Sequence, residues 1–258
     1  MRVSVVGMEA NQVRDTSQHA DDPSRVVEAY WSKRASEEKP EAAVHPKSRF
    51  IAYEMWTRRM IQAWTMRRLH SLKARVRRSL DIGCGYGDWT ELFAQISDEI
   101  HACDIAPAFV DATRRRVPQA NVSLADLRSY AMPRALDFVY FGAVLLYAPQ
   151  PDVVDVLRRV RDAAEPGALV IVRDWCTFNL GRRTTNTGGN HWSIHRSPME
   201  LCCLAEAARF RVIEVRSSPS IYGEVMGGRF AQWPMRALWR LVSLPVRRAS
   251  HSLILRAD

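Results

Sequence analysis

Short apolar runs alternate along most of this chain with longer segments whose apolar residues recur every three or four positions. Glycine, proline or acidic residues bound the short runs, as is typical of strands, and the longer segments have the spacing of helices. Alternation of strands and helices predicts parallel strands in a doubly wound α/β sheet. The predicted strands cover residues 78–82, 99–104, 121–127, 136–141, 168–173, 210–216 and 250–256.

Helices are predicted over residues 25–33, 48–72 and 152–163, and from Asp88 and Ser197 onward. The helix after Asp88 has one apolar stripe, formed by Trp89, Leu92, Phe93 and Ile96. Ser197 and Glu200 have the spacing of a capping box, with Pro198 at the first helical position. We therefore expect the last of these helices to begin at Ser197.

The most informative segment is S-L-D-I-G-C-G-Y-G-D-W-T, residues 79–90. Gly83, Gly85 and Gly87 stand between a predicted strand and a predicted helix, in a turn too tight for side chains. Backbone N–H groups at the start of the helix are available to a ligand that approaches closely. The turn therefore predicts a site for a nucleotide-like ligand.

Two carboxylates beside this turn indicate which ligand it binds. Dinucleotide-binding units have the pattern G-x-G-x-x-G, but here the glycines read G-x-G-x-G and Asp88 stands where the third glycine would be. Asp81, two residues before the first glycine, would repel a pyrophosphate and attract an ammonium group. S-adenosylmethionine carries an ammonium and a sulfonium but no phosphate. At this point the chain resembles the class I S-adenosylmethionine-dependent methyltransferases, whose first motif is similar to D-I-G-C-G-Y-G.

The resemblance implies cofactor contacts at the ends of further strands. Asp104 ends the second strand about twenty residues after the turn, the spacing at which an acid reaches ribose hydroxyls. In the family, an acid at the position of Asp126 commonly binds the adenine amino group, and the segment after the fourth strand runs beneath the cofactor. The implied cofactor-binding residues are Asp81, Gly83, Cys84, Gly85, Gly87, Asp104, Ile105, Asp126, Leu127, Phe141 and Gly142.

The resemblance also implies a Rossmann-like sheet of seven mostly parallel strands, with an antiparallel last strand and an N-terminal helical cap. We expect one methyltransferase domain over residues 23–258, after a polar and disordered tail at 1–22. Its parts would be the cap at 23–75, the cofactor-binding half at 76–175, and a region at 176–258 with a substrate-side loop, the last strands and a helical insertion.

The insertion at residues 217–249 replaces a hairpin that is short in many family members. Its basic amphipathic run, 231–246, would lie on a membrane surface, line a substrate tunnel, form a dimer contact or pack as an ordinary surface helix. The sequence leaves the oligomeric state open.

Substrate recognition is predicted in the cap, in the segment after the fourth strand and in the loop at 175–197. The candidate substrate-binding residues are Tyr30, Trp31, Tyr147 and Trp192, with core packing as the alternative for the aromatic residues. The candidate catalytic bases or orienting residues are His191, His195, Tyr147 and Asp174. No metal is expected, because the H-x-x-x-H pair lacks further ligands and the fourth strand does not end in an acid, as it does in magnesium-dependent catechol-type members.

Composition agrees with a cytoplasmic enzyme. The chain of 258 residues has no apolar run of membrane-spanning length, and its start is too short for a signal peptide. Its 5 cysteines have no paired or zinc-site spacing, which favours a reducing compartment. The net charge of +9 comes mostly from arginine.

These patterns favour methyl transfer to an oxygen, nitrogen or carbon nucleophile of a small molecule, as in natural-product biosynthesis. Two alternatives stay open. One is an RNA methyltransferase that uses the basic cluster Arg67, Arg68, Lys73, Arg75, Arg77 and Arg78, although no RNA-binding module and no N-P-P-Y-type motif is present. The other is a cofactor-binding protein that does not methylate and instead acts as a cyclase or holds a partner.

Overall fold

The computed structural model describes residues 23–37, 51–177, 184–186, 193–217 and 248–257. The helices in these ranges are α1 (Pro23–Glu37), α2 (Ile51–Leu72), α3 (Asp88–Ala94), α4 (Pro107–Arg116), α5 (Gln150–Ala163) and α6 (Pro198–Ala207), with a 3₁₀ helix at Leu145–Tyr147. The strands are β1 (Val76–Ile82), β2 (Ser97–Asp104), β3 (Asn121–Leu124), β4 (Leu136–Gly142), β5 (Ala164–Thr177), β6 (Thr184–Asn186), β7 (Ser193–His195), β8 (Phe210–Ser217) and β9 (Arg248–Ala257).

Within the described residues, seven strands form one sheet in the order β3-β2-β1-β4-β5-β9-β8. The strands from β1 to β5 pair in parallel, and β9 lies antiparallel between β5 and β8. The predicted doubly wound sheet with an antiparallel last strand is therefore confirmed. The order reverses at β1, so a crevice is expected between the carboxyl ends of β1 and β4, where ligands bind in such sheets.

Both faces of the central strands are buried, and successive residues of one strand belong to different cores. In β4, Val139 and Phe141 pack with α5 and α6 on one face, whereas Phe138 and Tyr140 pack with α2 and α3 on the other. Two covered faces explain why the central strands read as continuous apolar runs. No helix in the described part of the chain is both long and apolar enough to span a membrane.

Several element boundaries differ from the prediction. β3 ends at Leu124, three residues earlier than expected, so Asp126 lies in the following loop. β5 begins at Ala164, so the strand already includes Pro166 and Gly167, where the sequence predicts a turn. Gly167 has a φ of 78°, and the pairing of β5 with β4 shifts register at this place. The predicted turn is therefore an irregularity inside the strand.

The predicted loop at 175–197 also proves partly regular, because β5 extends to Thr177 and β6 pairs with β7 in a small antiparallel ribbon. In the predicted stripe after Asp88, Trp89 and Phe93 are buried, whereas Ile96 lies beyond α3 and is 36% exposed. The tail at 1–22 and residues 218–247 of the insertion predicted at 217–249 lie outside the described residues, so the expectations for both stay predictions.

The amino ends of β1 and β4 are joined by the carboxylate of Asp137. Its Oδ2 accepts hydrogen bonds from the backbone N–H of Arg77 at 2.9 Å and of Arg78 at 3.3 Å. Its Oδ1 lies 3.0 Å from Nζ of Lys73, just after α2. One buried acid thus connects α2 to two central strands at the edge opposite the crevice.

We expect Asp137→Asn to lower the free energy of unfolding by about 2 kcal/mol at pH 7, since charged hydrogen bonds contribute roughly 1.5–3 kcal/mol each. Burial alone would raise the pKa of Asp137, but the bonds from Lys73 and the backbone lower it below its usual value near 3.8. The ionised carboxylate therefore stabilises the fold above about pH 4, and this stabilisation disappears as the pH falls through the folded-state pKa. Urea denaturation of the variant and the parent at pH 7 and pH 3 measures the loss of stability and its dependence on pH. An equal difference in the free energy of unfolding at the two pH values would contradict the predicted pH dependence.

Candidate active site

The turn between β1 and α3, residues 83–87, is called the glycine turn below. Gly83 and Gly87 have φ angles of 74° and 84°, a left-handed conformation that favours glycine. A Cβ on Gly83 would lie 3.0 Å from Cβ of Val144, and a Cβ on Gly87 would lie 2.9 Å from Oγ1 of Thr113. The glycine turn thus excludes side chains at both positions, as its sequence predicts.

Cys84, a predicted cofactor contact, has its thiol inside the protein. Its side chain is buried, and Sγ lies 3.5 Å from Oγ1 of Thr113 in α4. Burial raises the pKa of this thiol well above its usual value. Any contact of Cys84 with a ligand is therefore limited to its backbone.

Asp104, at the end of β2, binds the glycine turn directly. Its Oδ2 accepts a hydrogen bond from the backbone N–H of Gly85 and its Oδ1 accepts one from that of Ala106, both at 2.9 Å. Burial raises the pKa of Asp104, while these backbone bonds and one from Ile105 oppose the rise. Each oxygen has a second lone pair, so the carboxylate can still accept hydrogen bonds from hydroxyl groups.

Asp81, near the end of β1, is almost fully buried. Its Oδ2 accepts a hydrogen bond from Oγ1 of Thr90 in α3 at 2.6 Å. Burial raises the pKa of Asp81 to about 7, and the Thr90 hydroxyl opposes that shift. Below about pH 7 this carboxyl is mostly neutral, and a cation placed beside it would favour the ionised form.

Asp88, at the start of α3, is bound by two side chains of α2. Arg58 forms an ion pair with Oδ2 of Asp88, and Nε2 of Gln62 donates to the same oxygen at 3.0 Å. The Arg58 guanidinium also lies 5.2 Å from the ring centroid of Tyr86 in the glycine turn. The cap helix α2 is thereby attached to the glycine turn.

Asp126 and Leu127 lie in the loop between β3 and β4. Asp126 accepts a two-pronged ion pair from Arg128, with Nη2 2.6 Å from Oδ2 and Nε 3.1 Å from each oxygen. Nη2 of Arg159 in α5 donates to the Leu127 carbonyl at 2.7 Å. The loop is thus fixed by two arginines, and contact of Asp126 with adenine stays a prediction.

The segment after β4 comes close to the glycine turn through Val144. Phe141 is fully buried in the core, so its side chain cannot contact a ligand in the crevice, and the predicted cofactor contact is restricted to its backbone. Ala143 has a φ of 59°, and its N–H donates to the Arg173 carbonyl of β5 at 2.7 Å. A Cβ on Gly142 would lie 2.9 Å from the ring of Tyr140, so this position also needs glycine.

Three of the four aromatic residues predicted for substrate binding, Tyr30, Trp31 and Tyr147, lie together. The ring centroids of Tyr30 and Trp31 in α1 are 5.1 Å apart, and the ring of Trp31 lies 5.7 Å from that of Tyr147, edge to face. Nη1 of Arg34 donates to the Tyr30 hydroxyl at 2.8 Å. The helix α1 therefore covers the segment after β4 with aromatic side chains, as expected of a cap.

Tyr147 and Asp174 lie within electrostatic reach of each other. Burial raises the pKa of Tyr147, and the Tyr30 hydroxyl and the Asp174 carboxylate raise it further. Burial raises the pKa of Asp174 to about 7, although the Trp175 N–H donates to it at 3.0 Å. Tyr147 thus lies close enough to Tyr30 and Asp174 for their charges to affect its ionisation.

His195 is buried at the end of β7. Its Nδ1 lies 3.1 Å from the Trp175 carbonyl and its Nε2 lies 3.3 Å from Oγ of Ser193. Because both ring nitrogens have protein partners, the geometry supports anchoring of the ribbon rather than the predicted general base. His191 and Trp192 lie outside the described residues, so their roles stay predictions.

Comparison with known proteins identifies the cofactor-side half of this site. Residues 80–167 match the family model of the methyltransferase domain. Over this part, about a third of its length, the chain is similar to the methyltransferase domain. The match includes the glycine turn, Asp104 and Asp126, and it leaves out α1, α2 and Asp174.

A curated relative, trans-aconitate 2-methyltransferase of Methylobacterium radiotolerans, is 34% identical over 99 residues. The aligned segment spans 38% of this chain and only 37% of that relative. The likeness therefore covers little more than a third of either protein.

Two solved structures share the fold of the methyltransferase domain over most of the chain. The N-methyltransferase NodS from Bradyrhizobium japonicum, in complex with S-adenosylhomocysteine, has a TM-score of 0.60 and 13% identity, covering 88% of this chain and 96% of that one. The 1,6-didemethyltoxoflavin-N1-methyltransferase from Burkholderia thailandensis has a TM-score of 0.64 and 14% identity, covering 95% of this chain and 97% of that one. At such identities the likeness concerns the fold.

Sequence reasoning missed two arginines of the methyltransferase site. Arg58 binds Asp88 from 30 residues away, and Arg196 is one of the largest fully buried side chains. Arg196 directly follows the candidate His195 in sequence, but no local pattern distinguishes Arg58 or Arg196 from the many other arginines in this chain.

We expect Arg58→Ala to lower the free energy of unfolding by about 3 kcal/mol, because it leaves the Asp88 carboxylate buried without its cation. The adjacent Arg59 is exposed and has the same side chain, so Arg59→Ala is the matched control and should change stability by less than about 0.5 kcal/mol. Chemical denaturation of both variants provides the comparison. Equal losses would mean that the ion pair with Asp88 does not attach α2.

Proposed function

We propose that this protein transfers the methyl group of S-adenosylmethionine to a nucleophilic oxygen, nitrogen or carbon of a small molecule. The observation that carries the proposal is the group of buried carboxylates around the glycine turn. Asp81 suits an ammonium group and Asp104 suits hydroxyl groups, while no lysine or arginine from the turn itself offers a phosphate contact.

The glycine turn is also suited to a ligand that approaches the backbone closely. The close approach of Val144 and Thr113 to Gly83 and Gly87 keeps the turn free of side chains, so that a ligand can lie against its backbone. Asp104 would hold the ribose hydroxyls and Asp81 the ammonium group. Asp126 would contact the adenine from the loop after β3.

S-adenosylmethionine supplies an activated methyl group, so the protein mainly has to position the acceptor for in-line attack. Tyr30, Trp31 and Tyr147 would form the apolar wall against which the acceptor packs. Asp174, whose pKa is raised to about 7, would accept the acceptor's proton or orient Tyr147 near neutral pH. Its burial and its bond from the Trp175 N–H favour the orienting role.

Relatives with the same cofactor half support a small, soluble acceptor made in metabolism, of the kind found in natural-product pathways. The curated relative acts on trans-aconitate, and the structure from Burkholderia thailandensis contains 1,6-didemethyltoxoflavin. A small molecule that carries carboxylates or is a planar heterocycle is therefore the first class to test.

The basic cluster that suggested an RNA substrate is largely paired with acidic residues. The pairs are Arg68–Glu214, Lys73–Asp137, Arg75–Asp98, Arg77–Asp137 and Arg78–Glu99. These partners reduce the positive potential that a phosphate backbone would meet. The described surface thus favours a small molecule over RNA.

The experiment that tests the proposal incubates the protein with methyl-labelled S-adenosylmethionine and a panel of acceptors that includes trans-aconitate, other polycarboxylates, planar heterocycles and bulk RNA. Labelled product with a small acceptor would support the proposal. Labelled RNA alone would establish the RNA alternative. Cofactor binding without any labelled product, together with a rearranged acceptor, would establish the non-methylating alternative.

Asp104→Asn should weaken S-adenosylhomocysteine binding about 10- to 100-fold, because it removes charge-assisted hydrogen bonds worth roughly 1.5–3 kcal/mol. Asp111→Asn, at an exposed position of α4, is the control and should leave the affinity unchanged. Calorimetry with both variants, and with NAD on the parent protein, makes the comparison. Tighter binding of NAD than of S-adenosylhomocysteine would refute the cofactor assignment.

The affinity for S-adenosylhomocysteine should depend on pH through Asp81, whose carboxyl has a pKa of about 7 in the free protein. Above that pH the carboxylate is ionised and attracts the ligand's ammonium group; below it, the carboxyl is neutral and affinity should fall toward tenfold per pH unit. Asp81→Asn should bind weakly with a much flatter dependence between pH 5 and pH 8. An unchanged slope in this variant would assign the titration to another group.

A further inference from the structure

Arg196 directly follows β7 and is only 2% exposed. Its Nη1 donates to the Leu145 carbonyl at 2.9 Å, and its Nη2 donates to the Ala148 carbonyl at 2.6 Å. These two carbonyls flank the 3₁₀ helix at Leu145–Tyr147, about fifty residues earlier in the sequence. One guanidinium therefore spans the whole 3₁₀ helix.

Asp174 holds the same 3₁₀ helix from β5. Its carboxylate accepts a hydrogen bond from the backbone of Leu146, within the helix, and one from the Trp175 N–H. The positive charge of Arg196 acts on this carboxylate as well. The 3₁₀ helix is thus fixed through its carbonyls by Arg196 and through an N–H group by Asp174.

The ribbon is attached at the same place. His195 binds the Trp175 carbonyl through Nδ1, so the residue before Arg196 is fixed to β5. Arg196 consequently connects the end of β7, the strand β5 and the segment after β4. That segment carries Tyr147, whose ring contacts Trp31 of the cap.

We propose that Arg196 is a positioning residue for the acceptor, which holds Tyr147 and the end of the β6–β7 ribbon in one fixed arrangement. This inference rests on the proposed function, because it requires that an acceptor binds beside Tyr147. Arginine suits the task because its planar guanidinium carries several donors in a fixed geometry, whereas the ammonium group of lysine is a single point. The hydrogen bonds of Arg196 to Leu145 and Ala148 and its charge beside Asp174 place it on the side of the crevice where Tyr147 lies.

Arg159 provides a matched comparison on the cofactor side. Its Nη1 donates to the Tyr130 carbonyl at 3.1 Å and its Nη2 to the Leu127 carbonyl at 2.7 Å. It therefore spans the loop that carries Asp126 in the same manner as Arg196 spans the 3₁₀ helix. The two arginines hold different sides of the crevice, and Arg159 is more exposed than Arg196 and also pairs with Asp155.

The test compares Arg196→Lys with Arg159→Lys by hydrogen exchange and calorimetry. In Arg196→Lys, the amides of Leu146, Tyr147 and Ala148 should exchange at least tenfold faster, while those at 126–130 stay protected and S-adenosylhomocysteine binds with unchanged affinity. Arg159→Lys should show faster exchange at 126–130 and weaker S-adenosylhomocysteine binding. These readouts need no acceptor, so they remain valid even if methyl transfer is not observed.

Faster exchange throughout the sheet in Arg196→Lys, or none at 146–148, would overturn the proposal. If Arg196→Lys does not fold, the double variant D174N/R196Q removes both buried charges together and gives the same exchange readout. With an acceptor from the labelled panel, Arg196→Lys should lower kcat/KM for the acceptor at least tenfold at an unchanged KM for S-adenosylmethionine. Unchanged kinetics for the acceptor would leave Arg196 a purely structural residue.

Discussion

The carboxylate of Asp104 joins the end of β2 to the glycine turn, and the arrangement of the crevice depends on this contact. The Cys103 carbonyl next to it accepts the N–H groups of Gly83 and Cys84 at 2.9 and 3.0 Å, while Asp104 itself accepts those of Gly85 and Ala106. Glycines have no side chains whose packing could stabilise the shape of a turn. The glycine turn keeps its shape because its amides are bound by the neighbouring strand, and the same carboxylate still has lone pairs for a ligand.

Arginine side chains hold the segments that surround this turn. Arg58 attaches the cap helix α2 to Asp88, Arg159 spans the loop after β3, and Arg196 spans the 3₁₀ helix. In the last two cases one guanidinium binds two carbonyls of a single short segment. Many arginines in the described ranges are thus bound inside the protein or paired on its surface, and a net charge of +9 does not by itself indicate nucleic-acid binding.

The features that could be predicted from the sequence are those that depend on residues close together in the chain. The strands, the glycine turn and the acids at strand ends follow from local patterns, and so does the capping box, in which Oγ of Ser197 accepts the Glu200 N–H at 3.1 Å. The predicted end of β3 was wrong, because an apolar residue next to an acid occurs both in strands and in loops. The contacts of Arg58 and Arg196 join residues 30 and 51 positions apart, so that no periodicity or motif records them.

The similarity to known methyltransferases is likewise confined to one part of the chain. The family match covers residues 80–167 and includes the turn, Asp104 and Arg159. It does not reach Trp31, whose ring contacts Tyr147, or Asp174 and Arg196, which bind the 3₁₀ helix that carries Tyr147. In the proposed function, the cofactor contacts acids inside the match, whereas the acceptor contacts the cap and the segments outside it. The similarity to known methyltransferases therefore concerns the part of this protein that would bind the cofactor. The choice of acceptor depends on side chains outside residues 80–167.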